Sequence, residues 1–169
     1  MKRTFEEDLT QAIAFHGHLC AGQILGTRIT RIGLEHFGIE EPEAYKDLIA
    51  FVEADRCVAD AVCSVARCQL GRRRLKWHDF GKMAATFYDI NQKTAIRIIA
   101  VNESRPAPNT HGDELIAFYQ AIPDDQMFKI QNVEVNLTEY DLPGKPKRRV
   151  TCEKCGEGVM DNRDVQVNG

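Results

Sequence analysis

Apolar side chains recur with the period of an α-helix in four stretches of the chain. The pattern predicts a short helix over residues 4–14, a longer one over 21–37 and a third over 56–67. A fourth helix is predicted to follow Thr110, which has Asp113 in a loose capping-box position. The core-facing side chains of these helices would be Leu9, Ala12 and Ile13; Leu25, Ile29 and Ile32; Val58, Ala61, Val62 and Val65; and Leu115, Ile116, Phe118 and Tyr119.

Other stretches have the pattern of β-strands. Residues 48–52 are apolar without alternation, which is typical of a central strand buried on both faces. Residues 83–88 and 95–101 are predicted to form a hairpin, and residues 130–137 alternate as a half-buried strand does. These elements together predict an α+β fold in which a mixed or antiparallel sheet packs against helices.

Three glycines, Gly22, Gly26 and Gly33, fall on one arc of the predicted helix over 21–37. A glycine inside a helix costs up to about 1 kcal/mol relative to alanine. Three on one face therefore indicate that another helix or a ligand approaches the backbone closely. Close internal packing is the favoured interpretation.

Length and composition fit one main domain. The chain has 169 residues, of which 43% are hydrophobic, and a net charge of −3 that argues against nucleic-acid binding. We expect a core domain over residues 1–142, a linker over 143–150 and a short tail over 151–169. No apolar stretch is long enough to cross a bilayer, and the acidic start is unlike a signal peptide. The sequence thus predicts a cytoplasmic protein without membrane association, whose six cysteines are thiols or metal ligands rather than disulfides.

The densest set of metal-binding side chains lies in the segment His16-Gly17-His18-Leu19-Cys20. If this segment is extended, side chains two residues apart project to the same side. His16, His18 and Cys20 would then form a ligand set suited to zinc or another late transition metal. The alternative is a loop whose histidines are adjacent by chance.

Cys57 follows the predicted strand over 48–52 at a helix N-terminus, where the helix dipole lowers a thiol pKa. Asp60 and Cys68 share its polar stripe, but Cys68 lies roughly 16 Å further along the helix and cannot reach the same ion. Cys63 lies off the stripe and is interpreted as a packing residue. Cys57 and Asp60 are therefore site candidates, the alternative being that the cysteines are small buried apolar side chains.

Two further clusters could carry chemistry. Cys152 and Cys155, followed by Gly156, have the spacing of half a zinc knuckle. A second pair does not follow, so either the tail is truncated or the other ligands come from elsewhere in the chain or from another chain. Lys82, at the start of a predicted strand, could hold a small anionic ligand or be a surface charge.

These motifs resemble the signatures of the FmdE family, which takes its name from a component of formylmethanofuran dehydrogenase. The matching segments are Phe15-His16-Gly17-His18-Leu19-Cys20-Ala21-Gly22, then Gly26 and Arg28; Cys57, Asp60-Ala61, Cys68, Gly71 and Gly81-Lys82; and Cys152-x-x-Cys155-Gly156-Glu157. The resemblance implies an α+β core with a C-terminal treble-clef zinc finger, which is incomplete here. It would place the family's site at His16, His18, Cys20, Cys57, Asp60 and Lys82.

The resemblance also implies a function: a metal-binding protein associated with molybdenum or tungsten formylmethanofuran dehydrogenase-type one-carbon metabolism. It leaves open whether the chain is an enzyme, as a component of a metal-dependent oxidoreductase. A non-catalytic accessory or metal-handling module and a thiol-redox protein are the alternatives. The roles expected are metal binding by His16, His18, Cys20, Cys57, Cys152 and Cys155, and catalysis by Cys57, Asp60 and Lys82.

A homodimer is expected, because the glycine arc, the apolar hairpin and the incomplete cysteine pair leave surfaces without partners. Its tail would be ordered against the second copy of the chain. Dimers are also the commonest closed assembly.

Overall fold

The computed structural model describes residues 1–167, which form a five-stranded mixed sheet packed with helices and a separate two-stranded hairpin. The helices are α1 (Phe5–His16), α2 (Ala21–His36), α3 (Cys57–Val65), α4 (Gly112–Gln120) and α5 (Asp124–Met127), with a 3₁₀ turn at Leu70–Arg72. The strands are β1 (Leu48–Val52), β2 (Leu75–Trp77), β3 (Ala84–Asp89), β4 (Thr94–Ala100), β5 (Phe128–Val133), β6 (Arg149–Thr151) and β7 (Gly158–Met160). The predicted α+β class is confirmed. Across residues 1–167, every helix falls short of the length and apolarity that crossing a membrane requires.

The main sheet has the order β2-β1-β3-β4-β5, with β1 and β2 parallel and the remaining pairs antiparallel. β1 coincides with the predicted strand, and its central place explains its burial on both faces.

Two predictions are wrong in detail. The predicted strand over 130–137 ends at Val133, opposite Ala95, because its partner β4 begins at Thr94 and offers no backbone beyond it. The predicted Thr110 cap is also wrong: the Thr110 hydroxyl donates to the Ala107 carbonyl at 2.8 Å, and His111 precedes α4 instead.

The parallel pair was not predicted. β1, α3 and β2 form a β-α-β unit in which Val52 lies opposite Trp77, so the carboxyl ends of the two strands lie side by side. Cys57 begins α3 just beyond the end of β1, and Trp77 is the last residue of β2. The unit therefore brings the start of α3 and the end of β2 to the same edge of the sheet.

The glycine arc of α2 is used for internal packing, as the sequence favoured. A Cβ on Gly26 would lie 2.6 Å from the Ala61 Cβ and 3.1 Å from the Val58 Cα. A Cβ on Gly33 would lie 2.4 Å from the buried ring of Phe87. The absence of these side chains lets α2 lie directly against α3 and the sheet.

Two of the three features that motivated the homodimer are engaged within the chain. The glycine arc contacts α3 and Phe87. The hairpin of β3 and β4 lies inside the sheet between β1 and β5. The homodimer stays a prediction, which now rests on the incomplete pair of Cys152 and Cys155 and on the frequency of dimers in general. Light scattering of the full chain at micromolar concentration is its direct test.

The tail packs against its own core through Arg73. The guanidinium bonds the Leu142 carbonyl at 3.1 Å, the Tyr140 carbonyl, and the Asp161 carboxylate at 3.0 Å. Asp161 is buried and also accepts from the Lys147 backbone N–H at 2.7 Å. These bonds join the hairpin of β6 and β7 to the 3₁₀ turn that precedes β2. The last two residues of the predicted tail, 168 and 169, lie outside the described residues.

Arg73→Ala is expected to loosen the tail and leave the core intact. It removes the charged partner of the Asp161 carboxylate and the donors to two carbonyls, so the docked tail loses stability relative to the core. Hydrogen exchange should accelerate across residues 147–161 and stay unchanged in β1 and β3. The neighbouring Arg72→Ala is the matched control, since that side chain is exposed. Equal exchange in the two variants would contradict this account of docking.

Candidate metal centre

The His16–Cys20 segment joins α1 to α2 by a tight turn. α1 continues to His16, and Gly17, with φ of 96°, ends it by donating its N–H to the Ile13 carbonyl at 2.7 Å. Cys20 is the N-cap residue of α2. The segment is therefore not extended throughout, because the left-handed Gly17 turns the chain immediately after His16.

Three potential ligands lie together at the ends of three helices. His16 is the last residue of α1, Cys20 is the N-cap residue of α2 and Cys57 is the first residue of α3. One ligand atom each from His16, Cys20 and Cys57 all lie within 4.8 Å of one another. Each side chain is partly buried. An imidazole and two sulfurs at this spacing suit zinc and other borderline ions.

Asp60, one helical turn beyond Cys57, holds the imidazole. Its Oδ2 lies 2.8 Å from His16 Nδ1. A carboxylate only accepts, so Nδ1 carries the proton, and in the neutral ring Nε2 is then the nitrogen with the free lone pair. His16 Nε2 is buried and has no hydrogen-bond partner within the described part of the chain. Carboxylate on one ring nitrogen and metal on the other is the usual arrangement around metal-binding histidines.

Two adjacent residues of α2 determine how closely α2 lies to Cys57 at the start of α3. A Cβ on Gly22 would lie 2.7 Å from the Cys57 Cβ, so only glycine lets Cys57 come this close to α2. Gln23 is fully buried and donates to the Cys57 carbonyl at 2.7 Å. Neither residue would bind a metal, but both position one of the thiols.

The other predicted site residues lie around or away from this cluster. His18 is exposed, with its ring centroid 4.6 Å from that of His16. Lys82 lies between β2 and β3, with its ammonium 5.8 Å from the centre of the Phe80 ring. Cys152 and Cys155 lie at the turn between β6 and β7. There, Gly156 donates to the Cys152 carbonyl at 2.8 Å. The zinc knuckle itself stays a prediction.

The thiols differ in their environments. Burial raises the pKa of Cys57, and the neighbouring Cys20 thiol raises it further. The expected lowering by the helix N-terminus is therefore wrong for the metal-free chain, because desolvation is the stronger effect here. Burial also raises the pKa of Cys63, and raises that of Cys68 to about 12. The Cys155 and Lys154 backbone N–H groups lower the pKa of Cys152.

Alkylation of the metal-free protein should follow these differences. Cys152 is expected to react at lower pH than Cys57, because only the thiolate is nucleophilic. The pKa of Cys152 is lowered, whereas that of Cys57 is raised. Cys68, fully buried, should stay unmodified at pH 8 while the chain is folded. Peptide mapping across a pH series measures both. Modification of Cys68 as fast as the exposed Cys155 would contradict the burial that the structure gives it.

A cleft of about 440 Å³ opens beside the cluster. Its lining includes His16, Cys57 and Asp60 of the cluster, together with the apolar Leu70, Leu75 and Trp77. The sequence reasoning missed Trp77, although the pattern Leu75-Lys76-Trp77 alternates as a strand does. Three residues were too short a signal to establish that strand.

A family model described as FmdE, molybdenum formylmethanofuran dehydrogenase operon, matches residues 15–129. That range contains His16, Cys20, Cys57 and Asp60 and ends before the tail. It covers more than half of the chain.

Two known proteins are similar to this chain. A protein of Archaeoglobus fulgidus named "Probable S-adenosyl-L-methionine-binding protein" is 29% identical over 184 aligned residues, which cover 92% of this chain and 49% of that protein. The chain thus spans about half the length of this curated relative. A solved tungsten formylmethanofuran dehydrogenase FmdE-like protein from Syntrophus aciditrophicus has a TM-score of 0.59 and 22% identity. The match covers 94% of this chain and 86% of that one, and establishes the fold.

Proposed function

This chain belongs to the FmdE family, and on that premise we propose that it binds one zinc or similar late transition metal ion through His16, Cys20 and Cys57. The metal centre would serve a protein associated with molybdenum or tungsten formylmethanofuran dehydrogenase-type one-carbon metabolism. Family membership supports the association, and the cluster of ligand atoms supports the metal.

The observation that carries the proposal is the buried His16 Nε2 without a partner among the described residues. A buried polar atom left unsatisfied costs about 1–3 kcal/mol. Asp60 already occupies the other ring nitrogen, so the free lone pair needs a different partner. A metal ion shared with the two thiolates would satisfy it.

Each residue of the centre has a distinct task. His16, Cys20 and Cys57 would hold the ion, and Asp60 fixes the tautomer and orientation of the imidazole. Gln23 fixes the first turn of α3 through the Cys57 carbonyl. A zinc ion with three protein ligands acts as a Lewis acid towards a further ligand.

Asp60→Asn is expected to weaken metal binding about 10- to 100-fold, because a neutral amide orients the imidazole less strongly than a carboxylate. Competition with a chromophoric chelator measures the affinity in full-length protein carrying Cys152→Ser and Cys155→Ser. Asp55→Asn is the matched control, an exposed carboxylate on the rim of the same cleft. If Asp60→Asn binds metal as tightly as Asp55→Asn, the carboxylate–histidine arrangement is not part of the centre.

The closeness of Cys20 and Cys57 favours a second candidate, a thiol–disulfide function. Equilibrating metal-free protein in glutathione buffers and mapping disulfides separates the two. A Cys20–Cys57 disulfide that forms and reverses in the cytosolic range of potentials would support the redox function. Thiols that stay reduced in those buffers, and that bind metal when it is supplied, would support the metal function. Rapid transfer of the metal to a competing chelator would indicate a metal-handling module.

We extend the proposal to a second ion at Cys152 and Cys155, completed by ligands outside this pair. The lowered pKa of Cys152 supports it, since metals bind thiolates. Metal content should fall from two ions to one per chain in Cys152→Ser. An unchanged content in that variant would remove the tail from the metal chemistry.

A further inference from the structure

The cleft beside the metal centre lies where β-α-β units ordinarily bind ligands. Val52 and Trp77 end the two parallel strands as direct partners, and both line the cleft. Ligands of open α/β sheets bind outside the carboxyl ends of parallel strands. Cys57 begins α3 shortly after the end of β1, and Trp77 is the last residue of β2. One ligand bound at this edge can therefore contact both side chains.

The lining of the cleft includes large apolar side chains that are open to solvent. Trp77 is 53% exposed and Leu70 is 65% exposed. Large apolar side chains grouped at the mouth of a cleft are typical of binding sites. An indole offers a flat face on which another ring can stack. A volume of about 440 Å³ is also within the range of small-molecule sites.

We propose that this cleft binds a small molecule with two parts: a planar aromatic or heteroaromatic ring, which stacks on Trp77, and an oxygen or sulfur donor, which reaches the metal ion. The inference rests on the proposed metal centre. Three protein ligands leave a tetrahedral ion one position for such a donor, and zinc can expand to five ligands where a donor chelates. Trp77 is then a specificity-determining residue, because it selects the ring and does not itself bind the metal.

Two hydroxamates test the inference, since they offer the same donor with and without a ring. Cobalt(II) replaces zinc in full-length protein carrying Cys152→Ser and Cys155→Ser, so that its visible absorption reports the core centre. Benzohydroxamate is expected to bind about tenfold more tightly than acetohydroxamate, as a ring stacked on an indole predicts. Trp77→Ala should reduce this preference to about twofold, and Trp77→Phe should retain most of it.

The single tryptophan of the chain gives an independent readout. Benzohydroxamate should change the Trp77 emission with the same midpoint as the cobalt spectrum. Phe80→Ala, another exposed aromatic near the end of β2, should keep the full preference. A preference unchanged in Trp77→Ala, or binding without a change in emission, would overturn the proposal while leaving the metal centre standing. Failure of cobalt to give a thiolate spectrum would instead overturn the metal centre.

Discussion

Changing Cys57 to serine is expected to lower metal affinity at the core centre roughly 100- to 1,000-fold. A structural zinc site is worth about 10–16 kcal/mol over four ligands, so one ligand contributes about 2.5–4 kcal/mol. Cys57 contributes one of the three ligand atoms that the fold brings together. Chelator competition in protein carrying Cys152→Ser and Cys155→Ser measures the loss.

Cys63→Ser is the matched control for this experiment. Cys63 lies on the same helix and is also partly buried, but it is outside the cluster of ligand atoms. The variant should keep the affinity of the parent protein. Equal losses in the two variants would show that disturbance of α3, rather than removal of a ligand, weakens binding.

Gly26→Ala is expected to destabilise the fold by about 2 kcal/mol. The new Cβ would overlap Ala61 and the backbone of Val58, so α2 and α3 must separate. Overpacking of this kind costs about 1–3 kcal/mol, with backbone contacts at the upper end, and helix propensity returns up to about 1 kcal/mol. Urea unfolding measures the net change.

Gly71→Ala serves as the control, because a Cβ there meets no atom within 4 Å. It should be neutral, or stabilise the protein by about 0.5 kcal/mol through the unfolded state. A Gly26→Ala protein as stable as the parent would mean that α2 and α3 can move apart without a loss in the free energy of unfolding.

The regular elements could be predicted because their patterns are local. β1 is an uninterrupted apolar run and α2 has a clear helical period, and both lie within one residue of their predicted bounds. The glycine arc was interpretable for the same reason. β2 was missed because a strand of three residues is defined by its pairing with β1, about 25 positions away in the sequence.

The candidate site was predictable by composition but not by geometry. The residues from His16 to Cys20 stood out as ligands, and Asp60 was placed beside Cys57 by helical spacing. Which of the histidines faces the thiols depends on Gly17 ending α1, a turn that spacing alone does not reveal. The pKa of Cys57 depends on how deeply three helices bury it, so the helix N-terminus was a poor guide by itself.

Arg73 has a consequence for communication within the molecule. Arg73 is the residue after the 3₁₀ turn that contains Leu70, which lines the cleft. Its guanidinium bonds the Leu142 carbonyl and Asp161 of the tail, which also contains Cys152 and Cys155. Coupling free energy between two sites is reciprocal. Suppose that an ion bound by the tail strengthens the bonds of Arg73 and thereby raises the affinity of the cleft for its ligand. A ligand bound in the cleft must then raise the affinity of the tail for its ion by the same factor. Arg73→Ala would then uncouple the two events while removing a ligand from neither.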